Sequence, residues 1–377
     1  MLLLSGPNMG GNVWKYVKDC LDTGWVSSVG SYVDDFEKMT AAFAGTKYAV
    51  ATSSGTTALH ICLVMLDVNA NDYVITPNIT FIATCNAIRY TGAHPILIDA
   101  DELNWQIDLN LLEQFLENET IQINGACHLK KDGKRIPVIM PVHVLGNICD
   151  MDRLLQLSKK HNLVVVEDST EALGSYYQNK HAGSFGLMGT FSYNGNKIIT
   201  TGGGGMIVTD DEQLAKRAKH LTTQAKSDPF EYMHDEIGYN YRLVNVAAAM
   251  GVAQMEQLPD FINRKKEIIA FYKNGLEGTG DISFQQVNAA VNPNWWLPTI
   301  KTTKQREVLA ALNGNKMQSR PFWVPMNQLP MFKDEIYVHQ NDRSDFLYKH
   351  CLSIPCSTNI TDEDLQSVVN QIKSVYH

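Results

Sequence analysis

Short apolar runs alternate with helical patterns through the first half of the chain. Lys47–Ser54 (KYAVATSS) reads as a strand ending in polar turn residues, and Gly55–Val68 carries apolar positions at helical spacing. Asp72–Phe81 and His94–Asp101 are further strands, with a short helix over Ile82–Gly92 between them. Ile136–Gly146 is a fourth strand, Met151–Asn162 a helix, and Leu163–Thr170 a nearly continuous apolar run that closes on acids. Such runs suit parallel strands buried on both faces, and intervening helices make βαβ units. The pattern predicts an α/β fold, an open and mostly parallel sheet covered on both sides. A ligand of such a sheet sits at the carboxyl ends of the strands.

The pattern changes after about Tyr241. Asn245–Gly278 reads as one or two long helices broken near Pro259. Short strand signals follow (NWWLPTI, Asn294–Ile300), and a helix beginning near Asp362 ends the chain. This divides the molecule into a large domain, residues 1–245, and a linking helix with a smaller α/β domain, residues 246–377. At 377 residues the chain is too long for one simple core, which agrees with that division.

Composition narrows the partners. The net charge is −8 with no basic block, which speaks against nucleic acid and leaves room for a small phosphorylated ligand. No run approaches the roughly 20 apolar residues of a membrane helix, and MLLLSGPNMGGN lacks the basic region of a signal peptide. Seven scattered cysteines without a CxxC pair read as reduced thiols, so a cytoplasmic protein without a structural metal is expected.

The expected strand ends carry SSGTT, PNITF, VHVLG and EDSTEA, and a further motif lies at a glycine-rich turn. In SSGTT a strand stops, Gly55 turns the chain, and Thr56 and Thr57 open a helix whose free N–H groups favour an anion; an ordinary helix cap has the same look. In VVVEDST, Asp168 stands at the mouth of a buried strand, where an acid needs a cation or a donor, and Glu171 follows three residues later. Lys197 precedes TTGGGG; a lysine there is a solvated loop residue or, if buried, a nucleophile, and Ser192 is a further phosphate donor. Neither a P-loop nor a dinucleotide fingerprint is present. Together, a phosphate cradle, an aromatic at Phe81, a carboxylate and a lysine are the minimum set for pyridoxal 5′-phosphate (PLP).

The blocks GWVSSVGSYVDDFEK, YAVATSSGTTALHICL, TFIATCNAI, VHVLG, VVEDSTEALGS, GTFSYNGNKIITTGGGGM and GYNYRLVNVAAAMGVAQ stand in that order along the chain. In them the chain resembles the DegT/DnrJ/EryC1/StrS family of PLP-dependent nucleotide-sugar aminotransferases, of fold type I (aspartate aminotransferase-like). The resemblance implies that Lys197 is the Schiff-base lysine and Asp168 the partner of the pyridine nitrogen. It implies that Glu171 lies near the ring hydroxyl, that Phe81 stacks on the ring, and that Gly55, Thr56 and Ser192 hold the phosphate. Asn240 matches an asparagine that reaches the phosphate from a neighbouring subunit, which implies a homodimer with shared active sites. Two departures stand out: Gly203 replaces the Glu of the usual TTGEGG, and Asn327 replaces a histidine near the sugar. Trp296, Arg320 and Asn327 are candidate substrate contacts, although packing or surface roles explain them as well. Family dehydratases carry histidine in place of the lysine, so the retained Lys197 implies amino transfer.

The expected reaction takes an amino group from L-glutamate to C4 of a UDP-linked 2-acetamido-2,6-dideoxy-4-keto-hexose. The alternative acceptor is GDP-4-keto-6-deoxymannose, the substrate of a perosamine synthase. A catalytically idle homologue serving as a binding subunit, and a sugar dehydratase, are the competing readings.

Overall fold

The computed structural model describes residues 1–228 and 230–376. Among these, a ten-stranded sheet runs in the order Tyr48–Thr52, Gly205–Thr209, Met188–Ser192, Val164–Asp168, Arg135–Ile139, Asp72–Pro77, His94–Ile98 and Ile336–Val338, and a hairpin over Thr120–Leu129 adds the remaining two. The pairs from Met188–Ser192 through to Ile336–Val338 are all parallel. Gly205–Thr209 is antiparallel to both its neighbours. Parallel strands need crossovers, and helices Gly55–Met65, Ala83–Tyr90 and Met151–Lys160 supply them. This is the mixed, mostly parallel α/β sheet expected.

The strands are shorter than their apolar runs, for local reasons. Asp72–Pro77 stops at Asn78, whose N–H still bonds Ile98 O but whose own O is taken by Met326 N–H. Arg135–Ile139 ends well before Gly146: beyond it Val142 makes an isolated bridge to Asp168, and Leu145 takes a left-handed φ of 59°, which no strand accommodates. The hairpin strands, and the two that flank the glycine run, were not anticipated from the pattern.

Beyond Tyr241 come helices Asn245–Met255 and Leu258–Leu276. Pro259 lies in the first turn of the second helix, where its missing N–H has no cost, so it starts that helix and ends the other. A four-stranded antiparallel sheet follows, in the order Ser283–Phe284, Thr299–Lys301, Cys351–Ser353, Arg320–Pro321. Its core joins Ile300 and Leu352 to Val308, Leu365, Val369 and Ile372 of the surrounding helices. Two segments cross the division expected at residue 245. Ile336–Val338 pairs with His94–Ile98 at the edge of the large sheet. At the other end of the chain, Leu4 accepts from Cys356 N–H at 2.7 Å and donates its own N–H to Gln318 at 3.0 Å. No helix among the described residues is long and apolar enough to cross a membrane.

Candidate active site

Helix Gly55–Met65 begins at the strand end Tyr48–Thr52 with a reciprocal cap. Ser54 Oγ accepts from Thr57 N–H at 3.1 Å, and Thr57 Oγ1 accepts from Ser54 N–H at 3.0 Å. Ala58 N–H is taken by Ser54 O, so the N–H groups of Gly55 and Thr56 are the ones left without an intrahelical acceptor. Gly55 has no room for a side chain: an added Cβ would stand 2.9 Å from Thr170 Cγ2 and 3.0 Å from Ser192 Cβ. The glycine run passes directly behind this turn, and a Cβ on Gly205 would meet Ser54 O at 2.3 Å. Close approach of two backbones is thus what the glycines provide here.

These residues line a cavity of about 690 Å³. Its walls carry Gly55, Thr56, Phe81, Ser192, Lys197, Trp296 and Arg320 of the expected set. Phe81 is 54% exposed, an aromatic face left bare on the cavity. Among the described residues, Lys197 and Arg320 are the cations on the wall, and no carboxylate lines it. Volume and lining suit an anionic small molecule.

Asp168 and Glu171 lie buried beneath the cavity. Asp168 accepts from Thr84 Oγ1 at 2.7 Å and from Thr170 Oγ1 at 2.7 Å. Lys197 Nζ stands 3.7 Å from Glu171 Oε1, an ion-pair distance too long for a hydrogen bond. The other Glu171 oxygen accepts from the N–H of left-handed Leu145 at 2.8 Å. Burial pulls the Lys197 ammonium below the usual lysine range, against the charges of Glu171 and Asp168. Burial likewise pushes the Glu171 carboxyl up to about 7, against Lys197 and the Leu145 N–H. Both partners are driven toward their neutral forms.

Trp296 forms the opposite side. Its ring centroid lies 3.9 Å from Lys197 Nζ, and its indole Nε1 donates to Asn196 O at 2.7 Å. The residue before it, Trp295, holds a left-handed φ of 54°, a conformation that costs on the order of 1–3 kcal/mol. Asn294 anchors this turn by donating to Glu171 O and Leu173 O, both at 2.9 Å.

Two expected residues are not brought to the cavity of this chain. Asn327 does not line it; its side-chain oxygen accepts from Asn78 Nδ2 at 2.9 Å and its N–H donates to Asn78 Oδ1 at 3.0 Å. These two bonds join the loops that carry Asn78 and Asn327. Asn240 is exposed and bridges Thr223 through its backbone. Conversely, Thr84, Thr170, Phe322, Trp323 and Tyr348 belong to the site and were not singled out. Thr84 lies in the first turn of helix Ala83–Tyr90, where its buried hydroxyl meets Asp168. Phe322, Trp323 and Tyr348 arrive from the C-terminal part by packing alone.

The DegT/DnrJ/EryC1/StrS aminotransferase family matches residues 7–373. A GDP-perosamine synthase of Escherichia coli O157:H7 is 37% identical over 373 residues, covering 98% of this chain and 97% of that protein. A second, from Caulobacter vibrioides, is 34% identical over 382 residues, covering 99% and 97%. Among solved structures, S. venezuelae DesV in complex with a ketimine intermediate superposes with a TM-score of 0.86 at 27% identity, covering 96% of this chain and 94% of that one. By its sequence and its fold, the chain belongs to the DegT/DnrJ/EryC1/StrS aminotransferase family and is a PLP-dependent nucleotide-sugar aminotransferase.

Proposed function

We propose that the protein transfers an amino group from L-glutamate to C4 of GDP-4-keto-6-deoxymannose. The observation that carries the acceptor is the full-length similarity to two GDP-perosamine synthases. It favours the GDP-linked sugar over the UDP-linked acetamido sugar expected from the sequence.

The residues present fit PLP. The N–H groups of Gly55 and Thr56, with the Thr56 and Ser192 hydroxyls, make a cradle for its phosphate that a Cβ at Gly55 would fill. Asp168, oriented by Thr84 and Thr170, would pair with a protonated ring nitrogen, Phe81 would stack its exposed face on the ring, and Glu171 would lie near the ring hydroxyl. Once bound, PLP supplies the aldehyde that carries the amino group and the ring that delocalises charge. The chain's own part is to place and protonate. Lys197 Nζ, whose ammonium form burial disfavours, would bond the aldehyde and then hold and return a proton as general base and acid. Glu171 stands beside it and balances its charge. Arg320 faces the cavity with no carboxylate partner among the described residues and meets a substrate carboxylate or phosphate. Trp296 covers Lys197 Nζ, and Phe322 and Trp323 line the same cavity.

The active form is a homodimer in this proposal. Asn240 does not line its own cavity and would serve the neighbouring one. Exposed Trp14, Leu21, Trp25, Val29, Phe230 and Ile237 are the apolar surface that such an assembly covers.

The test is amination by the PLP-loaded protein, with L-glutamate, of GDP-4-keto-6-deoxymannose and of UDP-4-keto-6-deoxy-GlcNAc in parallel. A GDP-linked amino sugar is expected. Amination of the UDP sugar alone would replace the acceptor and keep the chemistry. Turnover by Lys197→Ala at the wild-type rate would remove Lys197 from its role.

A further inference from the structure

Lys265 lies on the buried face of helix Leu258–Leu276, in line with Phe261, Ile262, Ile268, Ile269 and Tyr272, and its side chain is among the largest fully buried ones. An apolar residue would satisfy the packing there, and a charge is costly unless it is compensated. No carboxylate forms an ion pair with it among the described residues. Its Nζ instead donates to Trp296 O at 2.9 Å and Cys356 O at 2.7 Å, with Cys356 Sγ at 3.1 Å and Ser5 Oγ at 3.5 Å. Cys356 in turn holds Leu4 O through its N–H, at 2.7 Å. One ammonium therefore ties together three segments distant in sequence. Two of the residues so held, Trp296 and Leu4, line the cavity.

The hold on Trp296 acts on a backbone turn beside Lys197. The turn at Trp295 is strained, and it is pinned on one side by Asn294 and on the other by Lys265. The Trp296 ring between these anchors lies against Lys197 Nζ. We propose that Lys265 is a positioning residue of the active site, fixing the Trp296 ring on Lys197 and so setting how Lys197 is oriented toward PLP. The inference rests on the assignment of Lys197 as the lysine that bonds the cofactor.

The test needs no substrate. Cofactor-free protein is mixed with PLP, and covalent uptake, in which Lys197 Nζ bonds the aldehyde carbon and water leaves, is followed by absorbance as a function of pH. Lys265→Met and Trp296→Ala are each expected to slow uptake about tenfold and to move the pH of half-maximal rate by the same amount. Because Lys265 acts through Trp296, Lys265→Met in the Trp296→Ala background adds less than about twofold. Losses that multiply to about a hundredfold, or wild-type rate and pH dependence in Lys265→Met, overturn the proposal. If Lys265→Met does not fold, Trp296→Ala alone decides, since wild-type uptake in that variant overturns it as well. Lys197→Ala is the control: covalent uptake without Lys197 would mean that the assignment of that lysine fails, a result distinct from those above.

Discussion

Glu171→Gln should make the cofactor-free protein less sensitive to pH. The Glu171 carboxyl is raised from 4.5 to about 7, first by burial, with Lys197 and the Leu145 N–H opposing. The folded protein therefore holds this proton more tightly than the unfolded chain. The stability that results is fully present below pH 4.5 and is lost as pH rises through about 7. The difference between the two values corresponds to about 3 kcal/mol. Glutamine keeps an oxygen for the Leu145 N–H and cannot ionise, so the variant escapes the loss. Lys197 works in the opposite sense, since an ammonium disfavoured by burial weakens the fold as pH falls, but both proteins retain it. The assay is urea unfolding at fixed protein concentration from about pH 5 to about pH 8. Glu171→Gln should gain on the wild type by up to about 3 kcal/mol across that range. A difference that stays flat to within about 0.5 kcal/mol would refute the reasoning and place the ionised carboxylate in an environment that tolerates it.

Gly55→Ala should weaken PLP binding about tenfold or more, because its Cβ fills the phosphate cradle; cofactor titration measures this. Arg320→Gln should raise KM for the nucleotide sugar about tenfold while kcat changes little, as expected when a charge-assisted contact is lost; steady-state kinetics with the acceptor varied checks it. Asn327→Ala should cost about 1 kcal/mol of stability and leave KM unchanged, since its partner is Asn78; urea unfolding together with kinetics separates the two effects.

Much of this site could be read in the sequence because its parts sit where one strand or helix ends. The positions of Gly55, Asp168 and Lys197 relative to an apolar run or a turn locate them along the chain. The parts that could not be read depend on long-range packing. Asn327 sits in a loop resembling a substrate loop, and only the fold shows that Asn78 occupies its side chain. Leu4, Trp323 and Tyr348 reach the cavity from both ends of the chain with no local mark of their destination. Strand Ile336–Val338 is three half-buried residues among polar neighbours, too short for an alternating pattern to register. Strand Met188–Ser192 is similarly hidden, its five residues broken by Gly189, whose Cβ would collide with the Gly183 backbone.

Pairing of Ile336–Val338 with His94–Ile98 also bears on how the chain is made. During synthesis every other strand of the ten-stranded sheet has been made once Gly205–Thr209 emerges, whereas the outer edge of His94–Ile98 stays bare until Ile336–Val338 follows. An unpaired edge of buried-type residues (Pro95, Ile96, Leu97, Ile98) is a template for pairing with another chain. The nascent protein is thus most exposed to misassembly late in translation, and truncations ending before Ile336 should accumulate as aggregates instead of as a stable large domain.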